Sequence, residues 1–361
     1  MNIVKATAGY EDWLRTHASL IEDDLRVKHK KMAESVFAFL RATFYRWAQI
    51  WPEVCSELAA APKILAVGDL HVENFGTWRD VEGRLIWGVN DFDESARLSY
   101  TSDLVRLAAS VLLAAEEDRL AVTGKEACAE ILDGYSRSMA EGGQPFVLEE
   151  GNKGLRSIAL NELRNPDSFW KKMDDLPTFR GEISPGARDA LEHLMPEPGL
   201  HYRLARRVAG LGSLGRERFV AIAEFRGGKI AREAKLLVPS AICWVSDRPG
   251  PTQIWYPYVL SRTVRCPDPF LHLRNQWVVR RLSPHCSRID LAVLPRNRDE
   301  RRLLFSMGWE TANVHLGNRE AIKNVLKHLK EQKASWLHSA ARRMVTTVEE
   351  DWEAWKKARV T

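Results

Sequence analysis

Polar side chains that could bind a metal ion or move a proton follow two apolar runs between residues 64 and 94. The first run ends at Gly68, and the second, residues 85–89, returns from a turn at residues 80–83. Carboxylates gathered at neighbouring strand ends repel one another unless a cation lies among them. The pattern therefore predicts a hairpin that carries a divalent metal ion, together with phosphate. The side chains concerned are Asp69, His71, Glu73, Asn74, Asp91 and Asp93.

A second motif, with the spacing G-x-G-x-x-G, spans residues 210–215. A dinucleotide-binding motif of this kind needs a helix directly after the glycines, whereas residues 218–224 have the pattern of a strand. A glycine turn between two strands is typical of the loop that covers phosphates in kinases, because glycine lets backbone N–H groups approach the oxygens. The alternative is a flexible hairpin with a surface lysine. The residues that would contact phosphate are Gly210, Gly212, Ser213, Gly215 and, on the next strand, Lys235.

Composition limits the class of protein. The chain has 361 residues, which suggests about two structural units, and its net charge of +5 comes from 53 basic and 48 acidic residues spread along it. This distribution favours a mixed solvated surface, with no nucleic-acid partner. Five cysteines without a C-x-x-C pair argue against a disulfide framework and a structural zinc site. We expect a soluble cytoplasmic protein with no membrane partner, because neither a signal peptide nor a long apolar stretch is visible.

The positions of turns and apolar repeats predict the elements that hold these motifs. Residues 28–51 have helical spacing up to Pro52, and a buried helix should begin at Asp103 and continue to about residue 117. Residues 125–194 have mostly helical patterns, and a boundary follows at residues 195–199. The predicted strands are 202–209, 218–225, 230–238, 253–260 and 277–282, and the predicted C-terminal helices are 299–316, 319–337 and 339–358.

Two resemblances follow from these motifs. Gly68 to Asn74 is similar to the catalytic loop of aminoglycoside phosphotransferases and other proteins of the protein-kinase-like superfamily, where an aspartate precedes an asparagine by five residues. Asn90 to Asp93 resembles the metal-binding motif of that superfamily, and Asp103-Leu104 resembles its downstream Asp-Leu. Over about residues 25–320 the chain resembles the bacterial family called domain of unknown function 2252. The matching motifs are Ser35–Arg41, Gly68–Gly76, Asn90–Glu94 and Val208–Gly215.

The resemblance implies an α+β, two-lobed, protein-kinase-like fold. The glycine turn comes about 140 residues after the catalytic loop instead of before it, so the fold would be circularly permuted, with the helix at residues 303–315 leading into the catalytic loop. The implied units are a helical lobe with the hairpin at 1–196, a small antiparallel-sheet lobe that binds nucleotide at 197–296, and C-terminal helices at 297–361 that return to the helical lobe.

The implied function is phosphoryl transfer from ATP, dependent on Mg²⁺, to a hydroxyl of an unknown small-molecule or protein acceptor. Asp69 would accept the hydroxyl proton, and His71 would orient the loop. Asn74 and Asp91 would hold the metal, with Asp93 as a further ligand. Lys235 and the glycine turn would hold the phosphates.

Three alternatives remain open from the sequence. Kinases pair the strand lysine with a glutamate, but no Glu lies between Lys235 and Glu300, so Asp290 or Glu233 substitutes or the pair is missing. A missing pair would indicate a nucleotide-binding pseudokinase or scaffold. Residues 64–71 also resemble a metal motif of binuclear metallophosphoesterases, although a later Gly-Asn-His is absent and residues 314–318 have the wrong order. Short arginine clusters at 203–207 and 342–343 are the only support for a nucleic-acid binder.

Overall fold

The protein is described by a computed structural model over residues 1–117, 120–149, 151–162, 165–246, 253–286 and 299–360. The helices in the first half of the chain are α1 (Ile3–Arg15), α2 (Glu22–Met32), α3 (Val36–Ala42), α4 (Phe44–Val54), α5 (Ser56–Ala59), α6 (Tyr100–Glu116), α7 (Gly124–Glu141) and α8 (Lys153–Glu162). Those in the second half are α9 (Pro166–Asp174), α10 (Pro185–His193), α11 (Ala241–Val245), α12 (Tyr256–Arg262), α13 (Glu300–His315), α14 (Ile322–Glu331) and α15 (Trp336–Val360).

The strands form three antiparallel sheets. The strands are β1 (Lys63–Ala66), β2 (Phe75–Arg79), β3 (Leu85–Val89), β4 (Ala96–Ser99), β5 (Phe146–Val147), β6 (Arg203–Arg206), β7 (Arg218–Phe225), β8 (Gly228–Leu236), β9 (Leu271–Arg274) and β10 (Trp277–Leu282). β1 pairs with β4, the hairpin β2–β3 is joined by β5, and the largest sheet has the order β6-β7-β8-β10-β9. The predicted small antiparallel sheet and the turn at residues 80–83 are therefore confirmed. The two apolar runs are not partners in one hairpin, however, because residues 85–89 pair with β2 and the first run pairs with β4.

The prediction of one helix over residues 28–51 is wrong, because two side chains interrupt it. Ser35 begins α3 by accepting a hydrogen bond from the Ala38 amide at 3.2 Å, which is the ordinary role of serine before a helix. Thr43 donates to the Phe39 carbonyl at 2.7 Å and adopts a non-helical conformation between α3 and α4. Pro52 lies inside the last turn of α4 and not beyond its end.

The prediction of a strand over residues 253–260 is also wrong. The segment from Tyr256 forms α12, and Pro257 occupies its first turn. Proline cannot donate a hydrogen bond to a strand ladder, whereas the first turn of a helix does not need its N–H. The place beside β10 is taken instead by β9, which the sequence patterns did not indicate.

Side-chain alternation along β8 separates the two faces of the large sheet. Ala234 and Leu236 point to the face that packs, with residues of β7 and β10, against α10. Glu233 and Lys235 lie on the opposite face, where Arg218 of β7 pairs directly across from Lys235. The sheet therefore presents charged side chains towards the β2–β3 hairpin and an apolar face towards α10.

The helical part is built around α6, α7 and α13. Helices α7 and α13 approach closely through Gly134 and Gly308. A Cβ on Gly308 would lie 2.0 Å from the Ile131 carbonyl oxygen, and one on Gly134 would lie 1.9 Å from that of Phe305. Helix α6 begins at Tyr100, three residues before the predicted start, and is almost entirely buried. Over the described residues, no helix combines the length and the apolar character that a membrane span requires.

Candidate active site

The two sequence motifs meet in one small cavity. Lys235 Nζ lies 2.8 Å from Asp91 Oδ2 and 2.6 Å from Asp93 Oδ1, although 144 residues separate Lys235 from Asp91. The cavity has a volume of about 50 Å³. Its lining includes Asp69, His71, Asn74, Asp91, Asp93 and residues 210–213 of the glycine turn. The structure thus brings the acidic hairpin ends, the lysine and most of the glycine turn together.

Gly215 lies away from this group. Its φ of +97° is the left-handed conformation that favours glycine, and a Cβ there would lie 2.6 Å from Leu25 Cδ2. Its carbonyl accepts a hydrogen bond from the Ile21 amide at 2.8 Å. Gly215 therefore joins the glycine turn to the segment before α2, while Gly210, Gly212 and Ser213 face the cavity.

Asp103 holds the backbone that carries the first motif. Its fully buried carboxylate accepts hydrogen bonds from the amides of Val67 at 2.7 Å and Gly68 at 2.9 Å. His315 Nε2 of α13 lies 3.0 Å from Asp103 Oδ2, and His315 Nδ1 lies 2.8 Å from the Tyr135 hydroxyl. The carboxylate thus binds the backbone of the loop before Asp69, in agreement with the role of bracing the catalytic loop that the resemblance to the downstream Asp-Leu implies.

Asp69 is oriented by a buried arginine. Arg106 donates to Asp69 Oδ1 from Nε at 2.9 Å and from Nη2 at 2.5 Å, and it also donates to the Leu40 carbonyl. Burial raises the pKa of Asp69, and the charge of Arg106 opposes this shift. Asp69 Oδ2 faces Gly212, where it lies 3.4 Å from the position a Cβ would take. One oxygen is therefore fixed and the other is directed at the glycine turn.

Asn74, which lines the cavity, is held by two hydrogen bonds to backbone carbonyls. Its Nδ2 donates to the carbonyls of Asp69 at 3.2 Å and Asp91 at 3.0 Å, and these two bonds fix the orientation of the amide. Asn74 Oδ1 is buried and has no hydrogen-bond partner among the described residues. Such an orphaned oxygen is costly unless a donor or a cation is supplied from outside.

The oxygen atoms present fit Mg²⁺. Burial and repulsion by the neighbouring Asp91 raise the pKa of Asp93 to about 6, against the opposing charge of Lys235, and Asn74 lines the same cavity. Mg²⁺ is usually held by one or two carboxylates and completes its shell with phosphate and water. No group of three His, Cys, Asp or Glu side chains suited to a metal is found in the described chain, so a site here would depend on Asn74 and phosphate oxygens.

Lys235 contacts the two aspartates in place of a glutamate. Glu233, one of the two partners considered from the sequence, is bound by Arg207 at 2.5 Å and Arg218 at 3.0 Å. Burial opposes ionisation of Glu233, but these arginines hold its pKa well below the usual range. The other candidate, Asp290, lies outside the described residues.

His71 and Glu73 belong to the structure of the loop. The Glu73 amide donates to His71 Nδ1 at 3.2 Å, and Glu73 itself forms an ion pair with Arg41 at 2.5 Å. The expectation that His71 orients the loop agrees with this contact. The motifs in the sequence did not indicate Arg106, nor Arg216, which contacts Glu94 at 3.3 Å. For Arg106, the sequence did contain a signal, because an arginine is unusual within the apolar pattern of α6.

Glu310 of α13 is a buried acid that supports β3. Its Oε1 accepts from the Val89 amide at 3.1 Å, and its Oε2 accepts from Asn313 Nδ2 at 2.8 Å. Burial raises its pKa to about 7, against the favourable charge of Arg265. Between pH 4.5 and 7 the folded protein therefore holds more protons than the unfolded chain at this position, and stability falls as pH rises through that range.

Glu310→Gln should remove this part of the pH dependence. Between pH 5 and pH 8 we expect the wild type to lose about 2 to 3 kcal/mol more free energy of unfolding than the variant, since one pKa unit is worth about 1.4 kcal/mol. Urea unfolding at both pH values measures the difference. Glu141→Gln, an exposed acid on α7, is the control and should keep the wild-type slope. Equal slopes in all three proteins would contradict the assignment.

Comparison with known proteins finds one family. Residues 20–168 match the model of a family described as an uncharacterized protein conserved in bacteria (DUF2252). The resemblance to domain of unknown function 2252 is confirmed over this range, which contains Asp69, Asn74, Asp91 and Asp103 but not the glycine turn or Lys235. No curated protein and no solved structure matches the chain.

Proposed function

We propose that this protein is a phosphotransferase that uses ATP and Mg²⁺ to phosphorylate a hydroxyl group, through a circularly permuted kinase-like arrangement of lobes. The observation that carries the proposal is the contact of Lys235 with Asp91 and Asp93, beside the orphaned oxygen of Asn74 and the carboxylate of Asp69. Phosphoryl transfer needs metal ligands, a lysine that binds phosphate and a base, and this group contains a candidate for each.

Each side chain has a role that its contacts allow. Arg106 keeps Asp69 Oδ1 in place, so Oδ2 is the atom that accepts the proton of the acceptor hydroxyl. Asn74 Oδ1, Asp91 and Asp93 would hold Mg²⁺, which neutralises charge that develops on the transferred phosphoryl group. Lys235 would then exchange its aspartate contacts for phosphate oxygens.

Nucleotide binding requires the glycine turn to move. A cavity of about 50 Å³ is too small for a triphosphate in front of Asp69 and Asp91. The Gly215 end of the turn is anchored by the 2.8 Å hydrogen bond from the Ile21 amide, whereas the hydrogen bond from Lys28 Nζ to the Gly212 carbonyl is longer, at 3.3 Å, so residues 210–213 are the part that would move. Loop movements of this kind admit the substrate and then exclude water from phosphoryl-transfer sites.

A thermal melt with Mg-ATP tests the metal and nucleotide assignment. At 100 times its Kd, Mg-ATP should add about 2.7 kcal/mol of apparent stability to the wild type. Asp91→Ala should lose this gain and still fold, because Asp93 remains a partner of Lys235. Asp133→Ala, which removes an exposed acid on α7, should keep the full gain. Equal stabilisation of Asp91→Ala and wild type would contradict the metal assignment.

A second candidate, a nucleotide-binding pseudokinase or scaffold, is favoured by a specific observation. Within the described residues Lys235 contacts no glutamate, and Asp69 is tied to Arg106. A protein of this kind would bind Mg-ATP without turnover. We do not propose a binuclear metallophosphoesterase, because His315 is engaged by Asp103 and Tyr135.

A further inference from the structure

We infer that a second cavity, between the large sheet and the β2–β3 hairpin, binds an oligophosphate chain and recognises the donor through its phosphates instead of its base. The cavity has a volume of about 130 Å³ and shares Asp91 and Gly210 with the first. The inference rests on the proposed function for the identity of the donor. The cationic residues that line the cavity are Arg207, Arg218, Arg265, Arg280 and Arg281.

Charge in this cavity is unbalanced. Three carboxylates, Asp91, Glu233 and Asp268, line it beside the five arginines. Glu233 already binds Arg207 and Arg218, and Asp91 contacts Lys235. Burial raises the pKa of Asp268 against the opposing charges of Arg281, Arg280 and Arg265, so one carboxylate of the lining faces three guanidinium groups. The remaining guanidinium groups therefore have an excess of positive charge.

Arg265, Arg280 and Arg281 carry that excess. Each has a buried Nε without a hydrogen-bond partner, and none forms an ion pair with a carboxylate within the described ranges. A buried guanidinium nitrogen that has no hydrogen-bond partner is costly in a folded protein. An anion that enters the cavity would remove this cost, so the arrangement favours binding of negative charge.

Aromatic and backbone contacts place the three guanidinium groups. Arg265 stacks on Trp78, 4.4 Å from the ring centroid, and donates to the Val89 carbonyl at 3.3 Å. Arg281 stacks on Phe270 at 4.0 Å. Arg280 reaches Asn90 Oδ1 only at 3.5 Å and the Tyr256 hydroxyl at 3.4 Å, so its hydrogen bonds are long. These contacts orient the side chains but leave donors for a ligand.

The chemistry of arginine selects phosphate. A guanidinium group presents a planar fork of donors that matches phosphate oxygens, and several forks around one cavity suit a chain of phosphates. A purine would leave the positive charge uncompensated. Because Asp91 and Gly210 line both cavities, a phosphate chain bound here would lead directly to Lys235 and the proposed metal ligands.

Calorimetric titration with sodium tripolyphosphate, without Mg²⁺, tests the inference. Wild-type protein should bind it, and Arg280→Met and Arg265→Met should each bind about tenfold or more weakly, since a charge-assisted contact is lost. Arg274→Met changes an exposed arginine of β9 and should bind like the wild type. A melt without ligand establishes that each variant is folded. Unchanged binding in both folded cavity variants, or no binding by wild type, would overturn the inference.

Displacement of tripolyphosphate by nucleotides distinguishes a failure of this inference from a failure of the proposed function. ATP and GTP should each displace tripolyphosphate with similar affinity, because the phosphates dominate recognition. Simultaneous binding of ATP and tripolyphosphate, or ATP binding far tighter than GTP, would overturn the assignment to the donor chain. Arg280-dependent binding without any phosphoryl transfer from Mg-ATP would support the anion site and contradict only the proposed function.

Discussion

Asp69→Asn is expected to lower phosphoryl transfer from Mg-ATP by about 10² to 10⁴, the usual range for a general base, without weakening nucleotide binding. The asparagine keeps an oxygen for Arg106, which holds Asp69 Oδ1 in the wild type. It replaces the second oxygen by an NH₂ group that cannot accept a proton. Because the base contacts the acceptor and not the nucleotide, binding should survive.

Release of phosphate from Mg-ATP to water measures this effect while the acceptor is unknown. Asp133→Asn, an exposed substitution on α7, should leave the rate unchanged. Mg-ATP titration of Asp69→Asn should give a Kd close to that of wild type. Equal turnover by Asp69→Asn and wild type would show that Asp69 is not the base, and weaker binding would show that it contacts the nucleotide.

Asp103→Ala is expected to lower the free energy of unfolding by about 2 to 4 kcal/mol, because each buried hydrogen-bonding group left without a partner costs about 1 to 3 kcal/mol. The substitution leaves the amides of Val67 and Gly68 without an acceptor and removes the partner of His315 Nε2. It also frees the backbone before Asp69, so turnover should fall together with stability.

Urea unfolding at pH 7 measures the stability change in Asp103→Ala. Asp103→Asn keeps one oxygen acceptor and should lose less stability than the alanine variant. Asp133→Ala should stay within about 0.5 kcal/mol of wild type, as exposed substitutions usually do. A loss below about 1 kcal/mol in Asp103→Ala would contradict the role of this carboxylate in holding the loop.

Local patterns in the sequence were sufficient for the parts of the site that lie at strand ends. The apolar runs before Gly68 and Asn90 correspond to β1 and β3, and residues 277–282 form β10 as predicted. Lys235 could be singled out as a candidate site residue from the sequence, because polar residues are rare at the end of an apolar strand. These features depend on neighbours in the chain, and so the sequence contains their signal.

Features that depend on distant contacts could not be predicted in the same way. Asp103 and His315 are 212 residues apart, and no local pattern indicates that they meet. The break at Thr43 depends on one hydroxyl bonding to the preceding turn. The arginine-lined cavity combines residues from the large sheet, the loop before β9 and the β2–β3 hairpin, whose packing is tertiary.

The central claim, that the Asp69, Asp91 and Lys235 group transfers the terminal phosphoryl group of Mg-ATP, is tested most directly by ³¹P NMR of Mg-ATP incubated with the wild-type protein. Signals of ADP and inorganic phosphate should grow with time, and they should grow little with Asp69→Asn under the same conditions. AMP with pyrophosphate would indicate nucleotidyl transfer, and an unchanged ATP spectrum with bound nucleotide would indicate a pseudokinase. Either result would contradict phosphoryl transfer by this group.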